Sequence, residues 1–168
     1  MHSILKRLVI VALVAGSCIG CDRISKGVAR ARLEGEHPVS YAGDVVLLEY
    51  EENQGVLLGI GATLPEETRF WFFEVTIGLF LAVLLSYVLL GGSIETADMI
   101  TASLVLGGGF SNLLDRLLYG GAVIDFLTVG IGHLRTAVFN LADAMILAGV
   151  VCFALRRLAR GAKAIPHT

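Results

Sequence analysis

The chain has 168 residues, of which 55% are hydrophobic and only 17% charged, and its mean hydropathy is +0.77. So apolar a chain cannot hide its surface in one water-soluble core, so the bilayer must serve as its solvent, and the length suits a single domain. The formal net charge is −2, and no basic stripe offers the electrostatic footprint that a nucleic-acid partner needs.

The first apolar run is Leu8 to Cys21, fourteen residues without a charge, framed by Lys6-Arg7 and Asp22-Arg23. At about 1.5 Å per residue it is short for a hydrocarbon core of about 30 Å, so a span over about 5–22 needs flanking turns and snorkelling basic side chains. The same residues read equally as a cleavable secretory or lipoprotein signal peptide. Three further spans, and a charged segment Asp22-Arg23-Ile24-Ser25-Lys26 suited to a span end, favour a retained helix. Cys18, Cys21 and Cys152 are odd in number and lie in apolar runs, which argues for small apolar packing over a disulfide framework or a C-x-x-C redox site.

From Asp22 to Arg69 the chain carries nine acids against five bases, the bias of a non-cytoplasmic segment. Val45-Val46-Leu47-Leu48-Glu49-Tyr50 is rich in strand formers and Asn53-Gln54-Gly55 is a turn signal, so a small sheet on the membrane surface is expected there. The second span covers 70–90 and contains Glu74, read as helix-binding glue. The third covers 97–114, loosened by three glycines at 107–109. A short outside segment follows over 115–137, and the fourth span covers 138–155. The expected fold class is therefore mainly α: a polytopic membrane protein of four transmembrane helices with a small β-rich extracytoplasmic element, as one domain over 1–168 with outside loops 22–69 and 115–137. Lys6 and Arg7 precede the first span, and Arg156, Arg157, Arg160 and Lys163 follow the fourth. With an even number of spans, the positive-inside rule puts both termini in the cytoplasm.

That topology brings the polar residues to one level. Asp22, then Asn112, Asp115 and Arg116, then Asn140 and Asp143 all fall at the outer ends of spans, with Asp125 between the third and fourth. An ionisable residue at membrane depth is costly enough to suggest function. Asp22 and Asp115 have cationic neighbours and read as orienting or ion-pairing residues, Asp115 with Arg116 beside it. Asp125 and Asp143 have apolar neighbours and Asn140, an environment that raises a carboxyl pKa through desolvation. Two such acids facing each other share a proton, so that one activates a water while its protonated partner polarises a peptide carbonyl. The bland alternative is a pair of buried acids satisfied by Arg116 and Arg135. A small ion or proton carrier, or a structural membrane subunit with polar helix contacts, are the competing function classes. His2, His37, His133 and His167 form no ligand spacing, so no metal is expected.

Asp22-Arg23-Ile24-Ser25-Lys26, Asn53-Gln54-Gly55, Asn112-Leu113-Leu114-Asp115-Arg116, Val123-Ile124-Asp125-Phe126 and Phe139-Asn140-Leu141-Ala142-Asp143 together resemble the ordered motifs of bacterial lipoprotein signal peptidase (signal peptidase II). The resemblance implies an aspartic endopeptidase of the bacterial cytoplasmic (inner) membrane, with its site near the outer face. It removes the signal peptide from diacylglyceryl-modified prolipoproteins, cutting before the lipidated Cys. It implies Asp125 and Asp143 as the catalytic pair, with Asp22, Lys26, Asn53, Gly55, Asn112, Asp115, Arg116 and Asn140 in supporting positions. No cofactor is implied; the partners are prolipoprotein substrates and membrane lipids, and the chain is expected to act as a monomer. Two departures stand out. Gln54-Gly55-Val56-Leu57-Leu58-Gly59 differs from the family's usual Thr, Gly, two small residues and Phe after the Asn, and Ser111 replaces the Gly before Asn112.

Overall fold

The computed structural model describes residues 2–55 and 61–163. Four helices make the body: α1 (His2–Leu33), α2 (Glu66–Leu90), α3 (Thr96–Leu118) and α4 (Leu141–Lys163). Within α1 the stretch Ile4–Leu33, and the whole of α2 and α3, are long and apolar enough to cross a membrane. Helix α4 matches α3 in length at 23 residues, and its apolar stretch, 144–155, lies between Asp143 and the Arg156-Arg157 pair. The chain is a polytopic membrane protein with a small antiparallel sheet, the fold class its sequence predicts. Its outer surface is built for lipid: Leu13, Leu79, Leu90, Leu147 and Leu158 point outward while Leu81, Val88 and Leu106 are enclosed.

The three glycines do not loosen α3. The helix runs unbroken through them, and each glycine is where a different neighbour comes closest. A Cβ on Gly107 would sit 2.6 Å from Cys18 Cβ of α1, one on Gly108 2.8 Å from Ile146 Cγ1 of α4, and one on Gly109 2.6 Å from a Leu81 methyl of α2. Successive residues on a helix point about 100° apart, so three in a row serve three partners. This makes α3 the hub of the bundle.

Helix α1 outlasts its apolar run and continues past Asp22 to Leu33. The charges that would end a lone span are matched by groups on α3, as the site below describes. In α2 the turn Phe70–Val75 is π-helical, and the Thr76 hydroxyl donates to the Trp71 carbonyl at 3.2 Å. The wide turn buries Glu74, whose Oε2 has no partner among the described residues, so this atom does not bind helices together.

The two ends of the bundle differ in kind. At one end Arg7 donates to the carbonyls of Val88 (3.1 Å) and Gly91 (2.6 Å), satisfying orphan acceptors at the C-terminus of α2. Arg156 and Arg160 meet Asp98 there, each at 2.9 Å. The other end carries the sheet, ordered β1 (Val39–Tyr41), β2 (Val46–Asn53), β3 (Val123–Ile131), β4 (Leu134–Arg135). β2 is the strand the sequence suggests; its main partner, β3, comes from the segment that carries Asp125. Their register shifts between Leu48 and Glu51, setting Glu49 and Tyr50 opposite Phe126 alone, a bulge immediately beside Asp125.

Candidate active site

Helix α4 begins at the site, and its first turn is held by acceptors from two places. The Asn140 Oδ1 accepts from the Asp143 N–H at 2.9 Å, while the Asn140 N–H donates to Asp143 Oδ2 at 3.2 Å, a reciprocal cap across Asn-x-x-Asp. Asp22 Oδ1, from α1, accepts the next orphan donor, the Ala142 N–H, at 2.9 Å. A carboxylate at a helix N-terminus also meets the positive end of the helix dipole. Asp143 is therefore fixed by the start of its own helix.

Asp125 reaches the same point from the sheet. Phe126 and Leu127 donate their N–H groups to the Phe139 carbonyl at 3.1 and 2.9 Å, and the Phe139 N–H returns to Leu127 at 2.9 Å. That clamp ties β3 to the residue just before Asn140. Asp125 Oδ1 then accepts from the Asn140 amide at 2.7 Å, and its Oδ2 from the Asn53 amide at 3.0 Å. Asn53 sits in a tight turn, its Oδ1 accepting from the Gly55 N–H at 2.9 Å. Asn112 completes the set: its amide donates to Asp143 Oδ1 at 2.8 Å, and its Oδ1 accepts from Asn140 at 3.2 Å.

Both carboxylates are thus held by amide and backbone N–H donors, and neither forms an ion pair among the described residues. The alternative in which Arg116 and Arg135 neutralise them is not what the geometry holds. Asp125 is almost fully buried, at 3% exposure. Burial pushes its carboxyl up to about 6; the bond from Asn53 opposes that rise and the charge of Asp143 adds to it.

Beneath the pair lies a second, fully charged layer. Lys26, 1% exposed, places its Nζ 2.7 Å from Asp22 Oδ2, 2.8 Å from Asp115 Oδ2 and 2.8 Å from Asn112 Oδ1. Arg23 pairs with the other oxygen of Asp115. A buried cation bound by two carboxylates and an amide oxygen meets the requirement that interior charge be paired and hydrogen-bonded. The sequence reading that set Arg116 beside Asp115 as its partner is corrected here. Neighbours in sequence on a helix point about 100° apart, so the two diverge and Asp115 takes its cations from α1.

Arg116 has a different task. It donates to the Gly121 carbonyl at 2.8 Å and to the Gly55 carbonyl at 2.6 Å, pinning the turn after Asn53 to the end of α3. That end is a Schellman cap: Gly120 and Gly121 have φ of 61° and 88°, and the Gly121 N–H donates to the Arg116 carbonyl at 2.7 Å. Every residue singled out in the sequence, Asp22, Lys26, Asn53, Gly55, Asn112, Asp115, Arg116, Asp125, Asn140 and Asp143, falls into this one network. Two members were not foreseen. Arg23 is adjacent to a predicted residue, and Ser111, noted only as a departure, donates its hydroxyl to Asp22 Oδ2 at 2.7 Å. The altered residues Val56, Leu57, Leu58 and Gly59 lie outside the described residues.

An apolar helix bundle that gathers two amide-held carboxylates where its first, third and fourth helices meet a small sheet defines a polytopic membrane protein. The family model described as signal peptidase (SPase) II matches residues 14–159, and the chain belongs to that peptidase family. Two solved structures share the fold. One, described as a bacterial membrane enzyme determined by the in meso method at 2.3 Å resolution, superposes with a TM-score of 0.78 at 21% identity, covering 94% of this chain and 93% of its own. The other, described likewise at 1.9 Å, gives 0.75 at 20% identity, covering 88% and 92%.

Proposed function

We propose that this chain is a single-domain intramembrane aspartic endopeptidase that frees diacylglyceryl-modified prolipoproteins of their signal peptides, cutting before the lipidated Cys. Asp125 and Asp143 are the catalytic pair. The observation that carries this reading is the amide cradle: Asn53, Asn112 and Asn140 hold the two carboxylates, and neither forms an ion pair among the described residues.

In the working form the pair holds one proton. Asp125, whose burial favours the neutral acid, donates that proton to the scissile carbonyl oxygen. Asp143 takes a proton from water as the water oxygen attacks the carbonyl carbon. The tetrahedral diol then collapses: one of its hydroxyls returns a proton to Asp125 as the C=O re-forms, the C–N bond breaks, and the Cys nitrogen leaves with the proton that Asp143 had taken. Asp22, Lys26 and Asp115 hold the start of α4 and Asn112 in place, and Arg116 holds the Gly55 turn.

The enzyme works as a monomer in the bacterial cytoplasmic membrane, both termini inside and the site near the outer face. Lys6-Arg7 and Arg156, Arg157 and Arg160 at one end, and the sheet at the other, support that orientation. At this level the acyl chains of the substrate help to position the bond, since each buried methylene contributes about 0.8 kcal/mol.

The test is cleavage by the purified protein, in lipid bilayers, of a lipidated prolipoprotein and its unlipidated twin. The lipidated form should shift in size and the plain form stay nearly inert. Asp125→Asn and Asp143→Asn should each lower turnover by about a thousandfold. Equal cleavage of both substrates would remove the lipoprotein assignment, and wild-type turnover in either Asn variant would remove that residue from the pair.

A further inference from the structure

The outer sheet carries a groove of about 470 Å³ that the proposed chemistry leaves unused. This volume falls in the range of about 300–1,000 Å³ typical of ligand sites. Glu49, Glu51 and Asn53 of β2 line one side, with Thr128 of β3 and Arg135 of β4 across from them. Asn53 is shared with the acid pair: its amide is the donor to Asp125 Oδ2, so one residue lines the groove and holds the site.

Its charge is acidic. Glu49 accepts from the Thr128 hydroxyl at 2.6 Å, and exposed Glu51 has no ion-pair partner among the described residues. The one cation, Arg135, is already engaged by Asp44, Nη2 to Oδ2 at 2.6 Å. Its Nη1 is buried and has no acceptor among the described residues.

Resting on the peptidase reading above, we infer that this groove takes the first residues of the polypeptide after the lipidated Cys, and that Glu49 and Glu51 make it prefer basic over acidic side chains there. The signal helix belongs among the apolar helices, whereas the segment beyond the cut must leave for water. The groove lies on the sheet, carries two carboxylates among its lining residues and shares Asn53 with the acid pair, which are properties that suit the departing segment. The two glutamates set the groove's charge.

Three lipidated peptides decide the matter, alike except for Lys-Lys, Gln-Gln or Glu-Glu at the second and third positions after the Cys. The kcat/KM values should fall in that order, with about tenfold between the extremes in low salt and about twofold in 0.5 M NaCl. The double variant Glu49→Gln, Glu51→Gln should still cleave all three peptides, which verifies its folding, while the spread between them collapses. Glu51→Lys should reverse the order. A flat or reversed order in the parent overturns the inference, and so does a Lys preference undiminished in the double variant. Failure to cleave any lipidated peptide removes the peptidase reading itself, and the groove assignment with it.

Discussion

Asn140 holds Asp125 and Asp143 at once, giving its side-chain amide to Asp125 at 2.7 Å while its Oδ1 caps the Asp143 N–H at 2.9 Å. One side chain therefore sets both the start of α4 and the spacing of the acid pair. The sheet is tied in just beside it, since Phe139 exchanges hydrogen bonds with Leu127.

Substitution at this position should separate stability from rate. Asn140→Ala loses the cap, at a cost of about 0.5–2 kcal/mol, together with the donor to Asp125. Asn140→Ser retains a capping oxygen but is too short to reach Asp125. Thermal unfolding in detergent should place the Ser variant above the Ala variant, while both cleave a lipidated substrate about a hundredfold more slowly than the parent. Parent-like turnover in Asn140→Ser would show that the bridge to Asp125 is dispensable.

The charged layer should behave differently from the pair above it. Asp115→Ala strips Lys26 and Arg23 of a shared partner, and leaving a buried charge uncompensated costs about 3–5 kcal/mol. Removing the Ser111 hydroxyl, in Ser111→Ala, costs only a hydrogen bond to a charged group, about 1.5–3 kcal/mol. Unfolding midpoints should rank parent, Ser111→Ala, Asp115→Ala. An unchanged midpoint for Asp115→Ala would contradict the buried ion pairs.

The glycine run carries a steric prediction. Gly108→Ala adds a Cβ 2.8 Å from Ile146 Cγ1 and against the Ala142 backbone, on the turn that bears Asp143. Overpacking of this kind costs about 1–3 kcal/mol, and the displaced helix should also lose activity. Gly120 has open space around it, so Gly120→Ala meets only backbone strain at φ 61° and should leave turnover nearly intact. Equal activity loss at the two positions would argue against α3 as the hub.

The pH dependence follows from Asp125, whose carboxyl is pushed up to about 6. If the working pair holds one proton, raising the pH through that value removes it. The kcat/KM should then fall on the alkaline side with an apparent pKa near 6 that belongs to the pair. The stability sign is the same: the folded acid binds its proton more tightly than the unfolded one, whose pKa is about 3.9. The contribution is full below about pH 4 and lost as pH rises through 6. A profile flat from pH 5 to 8 would show that Asp125 does not carry the proton.

By itself the sequence settled the apolar helices and the β2 segment, and it singled out Asp125 and Asp143 for the proposed pair. Long charge-free runs need the bilayer, and carboxylates stranded among apolar neighbours mark themselves at any depth. Partnership was another matter. Asp115 lies beside Arg116 in sequence yet pairs with Arg23 and Lys26 from a helix some ninety residues earlier, because the turn of the helix sends neighbours to different faces. Gly107, Gly108 and Gly109 read as a weak point until three helices were packed against them. Strand β3 was hidden for the same reason. Its pairing with β2 joins residues seventy or more positions apart, and local pattern carries no record of which distant strand will close the ladder. Composition and motif fix which groups are present and at what depth; only the packed helices decide which atoms of those groups meet.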